Sequence, residues 1–452
     1  MINTNDLSNS ATAPIILQMR LERAKVDNQM ITDFVNLLNK NKIKYALNLG
    51  YYKNSYSVDT GYDANISSIH NVIKNDYPGY IVDTIRGYFL GKPISYTCEN
   101  KIFMEKIQDI LDRNDESYHN ISIAQDMGIY GEAFEVLYLD EDGMPAFHKG
   151  AMGEWLVIYD MSIKPKIQLA VRFYEIYDVT NGNKIYYVDL YWDDMIVHFQ
   201  STSGGSYLRD TSVYPDGEEV HPWGMVPVVH HLNNEYRLGD FDKVLSEIDN
   251  YAKMNSFNAD ELEQFRQAYM VISGNVIDQE EAEKFKKIGI ITLGEGGQAA
   301  FLTKSVNDAF VTNHLNRINN DIHKFAKVPD MMDENFAGNL SGIAIKFKYK
   351  TLEEMCAIKE ALMKKALYRR LQLMANIFNL SLNKFNPRDV YIIFNRNLPV
   401  NATEELNDAL LKQTLGIPME DILSGLSFIE DPQDVLERMM PEVNPNDEDG
   451  VV

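Results

Sequence analysis

Apolar residues recur at helical spacing from Pro14 to about Asn48, at Ile16, Met19, Val26, Met30, Phe34, Leu37 and Leu38, and predict a helix opened by Pro14. The dozen residues before it are small and polar and predict a loose arm, while Tyr51–Asn65 is aromatic, polar and turn-like. Further helical blocks are predicted over residues 66–90, interrupted near Pro78, and over residues 100–128. Between Glu132 and His231 the period falls to two. The runs Ala133–Tyr138, Trp155–Tyr159, Leu169–Glu175, Lys184–Tyr191 and Met195–Gln200 are separated by turn-forming residues and predict an antiparallel meander.

From Asp240, read as an N-cap, a narrower stripe begins. Phe241, Leu245, Ile248, Ala252, Ala259, Leu262 and Tyr269 follow a four-three rhythm suited to packing against other helices. Residues 270–306 predict a small α/β insert, with a helix around Gln279–Lys287 and strands at Ile288–Leu293 and Ala299–Thr303. The rhythm returns from an Asn307 cap at Val311, Leu315, Ile318, Ile322 and Phe325, until Pro329 ends it. After a loop rich in glycine, asparagine and acid, residues 341–380 contain no proline and no glycine beyond Gly342. They predict the longest helix, about 55 Å at about 1.5 Å per residue. A strand at Val390–Phe394 and short helices near Thr403–Gln413, Pro418–Leu426 and Asp431–Met439 complete the series. The fold class expected is α+β and mostly helical.

Composition narrows the function. The 452 residues carry a net charge of −23, the opposite of a protein that grips nucleic acid through its phosphates. No apolar run is long enough for a membrane span, and the opening residues lack the basic and apolar regions of a secretory signal. Cys98 and Cys356 are far apart in sequence and read as free thiols. Neither a metal nor a cofactor is expected. His230 and His231 are adjacent on a predicted strand, so their side chains point to opposite faces and make a poor ligand pair. Gly294-Glu295-Gly296-Gly297 lacks the lysine of a phosphate loop, and Asp189, Asp193 and Asp194 near Trp192 read as solvated carboxylates. The concentrated positive charge is Lys346, Lys348, Lys350, Lys359, Lys364, Lys365, Arg369 and Arg370. It is expected to be either a solvated face or a surface meeting the acidic excess of a neighbouring subunit.

Several stretches, in order, resemble the portal proteins of tailed bacteriophages, in the SPP1-like group. They are Tyr77-Pro78-Gly79-Tyr80-Ile81-Val82-Asp83 with residues 87–94, Tyr130-Gly131-Glu132-Ala133, and Asn233-Asn234-Glu235 with Gly239-Asp240-Phe241. Pro329-Asp330-Met331 with residues 334–342, and Phe394-Asn395-Arg396-Asn397-Leu398-Pro399, complete the set.

The resemblance implies a division into arm and β-rich wing (1–239), first stem helix (240–269), clip (270–306), second stem helix (307–327) and tunnel loop (328–342). A long bent wing helix with a returning strand (343–400), a helical crown (401–440) and a disordered tail (441–452) follow. It further implies a dodecameric ring at one capsid vertex of the virion, assembled in the bacterial cytoplasm, through which double-stranded DNA is packaged and ejected. The expected partners are the terminase large subunit, a head-completion adaptor, and the major capsid and scaffold proteins, with no membrane. No catalytic residue is expected. On this reading Asp330, Met331, Met332, Asp333, Glu334, Asn335, Phe336, Gly338 and Asn339 face the channel. Phe241, Leu245, Ile248, Leu262, Leu315, Ile318 and Ile322 pack stems between subunits, and Lys364, Lys365, Arg369 and Arg370 meet a neighbour. The alternatives are a hydrolase with an unrecognised carboxylate site or another ring-forming connector.

Overall fold

A computed structural model describes residues 17–59, 70–179, 182–265, 269–273, 298–302, 308–331, 347–381, 383–397, 402–426, 429 and 432–439. Strand β1 (Leu17–Gln18) lies parallel to residues Ile158–Tyr159, and helix α1 (Asn28–Tyr52) follows, capped by the Asp27 side chain on the Met30 amide. The predicted helix therefore begins fourteen residues later than Pro14 (28 − 14), because the apolar residues before it serve a strand. Helix α2 (Tyr77–Leu90) takes Pro78 in its first turn, where the ring costs no hydrogen bond. Strand β2 (Ser95–Cys98) precedes α3 (Lys101–Arg113) and α4 (Glu116–Tyr130). The single helix expected over residues 100–128 is broken at Asp115, whose φ of 47° is left-handed.

Eight strands, β3 (Glu132–Leu139), β4 (Pro145–Lys149), β5 (Trp155–Tyr159), β6 (Ile167–Asp178), β7 (Asn183–Tyr191), β8 (Met195–Ser201), β9 (Leu208–Arg209) and β10 (Glu218–Val220), lead to β11 (Val228–Leu232). One sheet runs β1-β5-β6-β7-β8-β10, with β9 beside β8, and the second runs β11-β3-β4. Helix α1 covers the larger sheet: Ile31, Phe34, Val35 and Leu38 pack with Leu156, Ile158, Leu169, Val171 and Trp192.

A 3-10 turn at Asp242–Val244 leads into α5 (Leu245–Phe265). An antiparallel pair, β12 (Tyr269–Ser273) and β13 (Gln298–Leu302), then returns the chain to α6 (Asp308–Ala326). The predicted helix at Gln279–Lys287, the strand at Ile288–Leu293 and the glycine turn lie outside the described residues. Helix α7 (Lys350–Phe378) is the longest of those described, and β14 (Val390–Ile393) pairs with β2. Helices α8 (Ala402–Thr414), α9 (Met419–Leu423) and α10 (Pro432–Met439) end the described chain, and residues 441–452 lie outside it. The largest core gathers Ile81, Ile85 and Phe89 of α2 with residues of α3, α5, α6 and α7. No helix among the described residues is long and apolar enough to cross a membrane.

Candidate functional site

The small sheet β11-β3-β4 carries two buried carboxylates on opposite faces, as strand alternation requires of residues three apart. In the register His230 faces Phe134 and His231 faces Ala133. Glu132 and His230 therefore share one face, and Glu135 and His231 the other. Glu132 accepts hydrogen bonds from Tyr45 (2.6 Å) and from Arg237 (3.0 Å), and lies 2.6 Å from His230 Nε2. Glu135 accepts two from Arg370, at 2.8 and 2.6 Å, and lies 3.1 Å from His119 and 3.2 Å from His231. Both glutamates have no exposed surface. Burial pushes the Glu132 carboxyl up, but Arg237 and the His230 contact outweigh it and hold it at about 2. For Glu135 burial acts the same way, and Arg370 with the two histidines holds it well below the carboxylate range. Every carboxylate oxygen is engaged, so these groups lock α7 and α4 onto the sheet rather than face a substrate. The two histidines take different carboxylates.

Three further contacts converge on this junction. Gly131, at φ 87°, lets the chain turn from α4 into β3 where a Cβ would meet the Arg237 carbonyl oxygen at 2.1 Å. Asn233 donates to the Leu238 carbonyl and to Asp240, each at 2.8 Å. Asp240 pairs with Lys359 of α7 at 2.7 Å, so it anchors that helix instead of capping α5. On the same stretch of α7, Arg396 bonds Glu353 (2.9 Å) and Glu360 (2.7 Å), while the Asn397 amide donates to the Tyr88 carbonyl. Tyr80 donates to the Pro329 carbonyl at 2.9 Å and accepts the Met331 amide at 3.1 Å.

Of the stem residues, Phe241, Ile248 and Ile322 are fully buried and Ile318 nearly so, all within the chain's own core, because α5 and α6 pack on each other and on α2. These four side chains therefore serve the chain's own core, where the sequence reading expected them to meet a neighbouring subunit. Leu245 and Leu315 are half-buried, and Leu262 stays exposed with Phe257, Phe310 and Phe325 on the same helices.

Of the basic residues, Arg370 is buried in the Glu135 pair, and Arg369 donates to the Val226 and Val228 carbonyls, each at 2.8 Å. Lys364 binds Glu360 at 2.7 Å, and Lys365 is exposed. Arg369 and Arg370 are thus engaged within the chain, where the sequence reading expected all four cations to meet a neighbour. Asp330 accepts from Asn319 at 3.2 Å and Met331 is exposed; Met332, Asp333, Glu334, Asn335, Phe336, Gly338 and Asn339 lie outside the described residues. Asp189 is buried against His198 at 2.8 Å rather than solvated, while Asp193 and Asp194 share Arg23 at the surface.

Residues 33–448 match the family model described as phage portal protein, SPP1 Gp6-like. The chain belongs to this portal protein family. Portal proteins are structural components of the bacteriophage capsid, acting at the head-tail connector. The portal protein of Bacillus phage SPP1 is 23% identical over 455 residues, covering 95% of this chain and 89% of that one. The portal protein of Clostridium phage phiCD119 is 23% identical over 387 residues, covering 80% and 83%. A chain from the neck of an empty gene transfer agent particle superposes with a TM-score of 0.46 at 12% identity, covering 85% of this chain and 96% of that one. The stretches that carried the portal resemblance meet in space: residues 77–83 touch Pro329 and Met331, residues 87–94 touch Asn395 and Asn397, and residues 130–133 touch residues 233–240.

Proposed function

We propose that this portal protein closes into a dodecameric ring at one capsid vertex, and that double-stranded DNA is packaged and ejected along its axis. The family match over residues 33–448 carries the reading. A cyclic ring needs two different complementary faces on each subunit. The exposed Phe257, Leu262 and Phe310 on α5 and α6 supply apolar surface for one of them, with Leu245 and Leu315 at its margin. The net charge of −23 suits a tunnel that repels phosphates and so guides DNA without holding it. On this proposal residues 328–342 are the tunnel loop, the paired α5 and α6 the stem, residues 270–306 the clip facing the packaging ATPase and later the head-completion adaptor, and α8 to α10 belong to the crown. The motor's ATP hydrolysis belongs to the terminase. Deleting residues 333–339 tests the channel role: rings are expected to assemble while DNA packaging into proheads fails. Normal packaging by that variant would contradict it.

A further inference from the structure

A cleft of about 1320 Å³ runs between α7, the loop joining β5 to β6, and the edge of β11. Its charge is opposite to that of the chain. Lys164, Lys365, Arg369 and Arg388 line it, and among the described residues none of them is ion-paired. Two lining carboxylates are already engaged: Asp160 accepts from Ser162 and from the Lys166 amide, and Asp193 from Arg23.

Arg369 is the most telling. Its Nε and one Nη hold the Val228 and Val226 carbonyls, capping the open edge of β11, and it has no acidic partner. Burial pulls its pKa down to about 10, the signature of a cation lacking compensation. On the rim, the same loop that carries Lys164 exposes Met161 and Ile163 almost completely, so the surface couples positive charge to apolar tips.

We propose that this cleft docks the acidic C-terminal segment of this chain, residues 441–452. That segment, Pro-Glu-Val-Asn-Pro-Asn-Asp-Glu-Asp-Gly-Val-Val, carries Glu442, Asp447, Glu448 and Asp449, no cation, and three valines. Its carboxylates match Lys164, Lys365, Arg369 and Arg388, and its valines match the Met161 and Ile163 tips. Extended, its residues span about 40 Å. Carboxylate contacts to guanidinium and ammonium groups are the stronger class of hydrogen bond, and they weaken with salt where exposed. The proposal does not depend on ring formation.

The test places a photo-crosslinking residue at the exposed Ile163 in the full chain, irradiates it, and maps the products by mass spectrometry. Crosslinks are expected within residues 441–452. Their yield is expected to fall roughly tenfold or more when Asp447→Asn, Glu448→Gln and Asp449→Asn are combined, and equally with Lys365→Glu plus Arg388→Glu. Circular dichroism and urea midpoints of both sets of variants check that folding is kept. Crosslinks to any other segment, crosslinks to added duplex DNA instead, a yield indifferent to either set of charges, or no crosslink would each overturn the proposal.

Discussion

The Arg370 guanidinium closes on the Glu135 carboxylate through two hydrogen bonds of 2.8 and 2.6 Å, with neither side chain more than 1% exposed. A third donor contact, from Arg370 Nη2 to Asn120 at 2.9 Å, ties α4 into the same knot. Removing one partner leaves a buried charge without compensation. Arg370→Met is therefore expected to destabilise the chain by about 3–5 kcal/mol. Adding Glu135→Leu is expected to recover much of that loss. Urea midpoints of the three proteins measure it; additive losses in the double variant would show that the pair is not the source.

The same junction sets the acid response. Burial holds His119, His230 and His231 below their ordinary 6.5, so the unfolded chain binds protons there that the folded chain refuses. Stability is expected to fall as pH drops below about 6.5. It falls again as Glu132 is titrated between its ordinary 4.5 and about 2. His198 acts in the other direction. Burial lowers its pKa, but Asp189 and Glu219 outweigh this and raise it to about 9, so its contribution is complete below pH 6.5 and lost as pH rises through about 9. Urea midpoints across pH should peak near neutrality; a midpoint that rises steadily into acid would contradict the assignment.

Tyr80 bridges the Pro329 carbonyl and the Met331 amide where the chain leaves α6. Tyr80→Phe removes the hydroxyl and keeps the ring, at an expected cost of about 1 kcal/mol. Amide exchange at Met331 should accelerate about fivefold, while exchange in α2 stays unchanged. Equal acceleration in both would mean that the hydroxyl supports the helix rather than the loop.

On α5 and α6, exposure separates the apolar residues that the proposed ring would use from those of the core. Leu262→Lys and Phe310→Lys are expected to leave the monomer's urea midpoint within about 0.5 kcal/mol of wild type and to weaken oligomers. Ile322→Lys puts a charge in the core and is expected to prevent folding. Sedimentation and denaturation of each variant distinguish the two classes.

Much of the fold is legible in the sequence. Strand β5 was bounded to the residue, because alternation and turn residues act locally. Helix α1 was misplaced at its start because Leu17 and Gln18 pair with Ile158 and Tyr159, some 140 residues away (158 − 17 = 141), and no local pattern records that. The break at Asp115 carried no glycine or proline to mark it. The buried network was missed for a related reason. Glu132, Glu135, His230, His231 and Arg370 look like ordinary surface charges until the register of β3 with β11 sets each histidine beside its glutamate and α7 brings Arg370 onto Glu135. The four-three spacing through Phe241 and Ile248, and through Ile318 and Ile322 on α6, marks buried positions, and they pack within the chain's own core.

The most direct measurement is negative-stain electron microscopy of the purified full chain. The account predicts rings with an axial hole. A compact monomer at every concentration tested would contradict it.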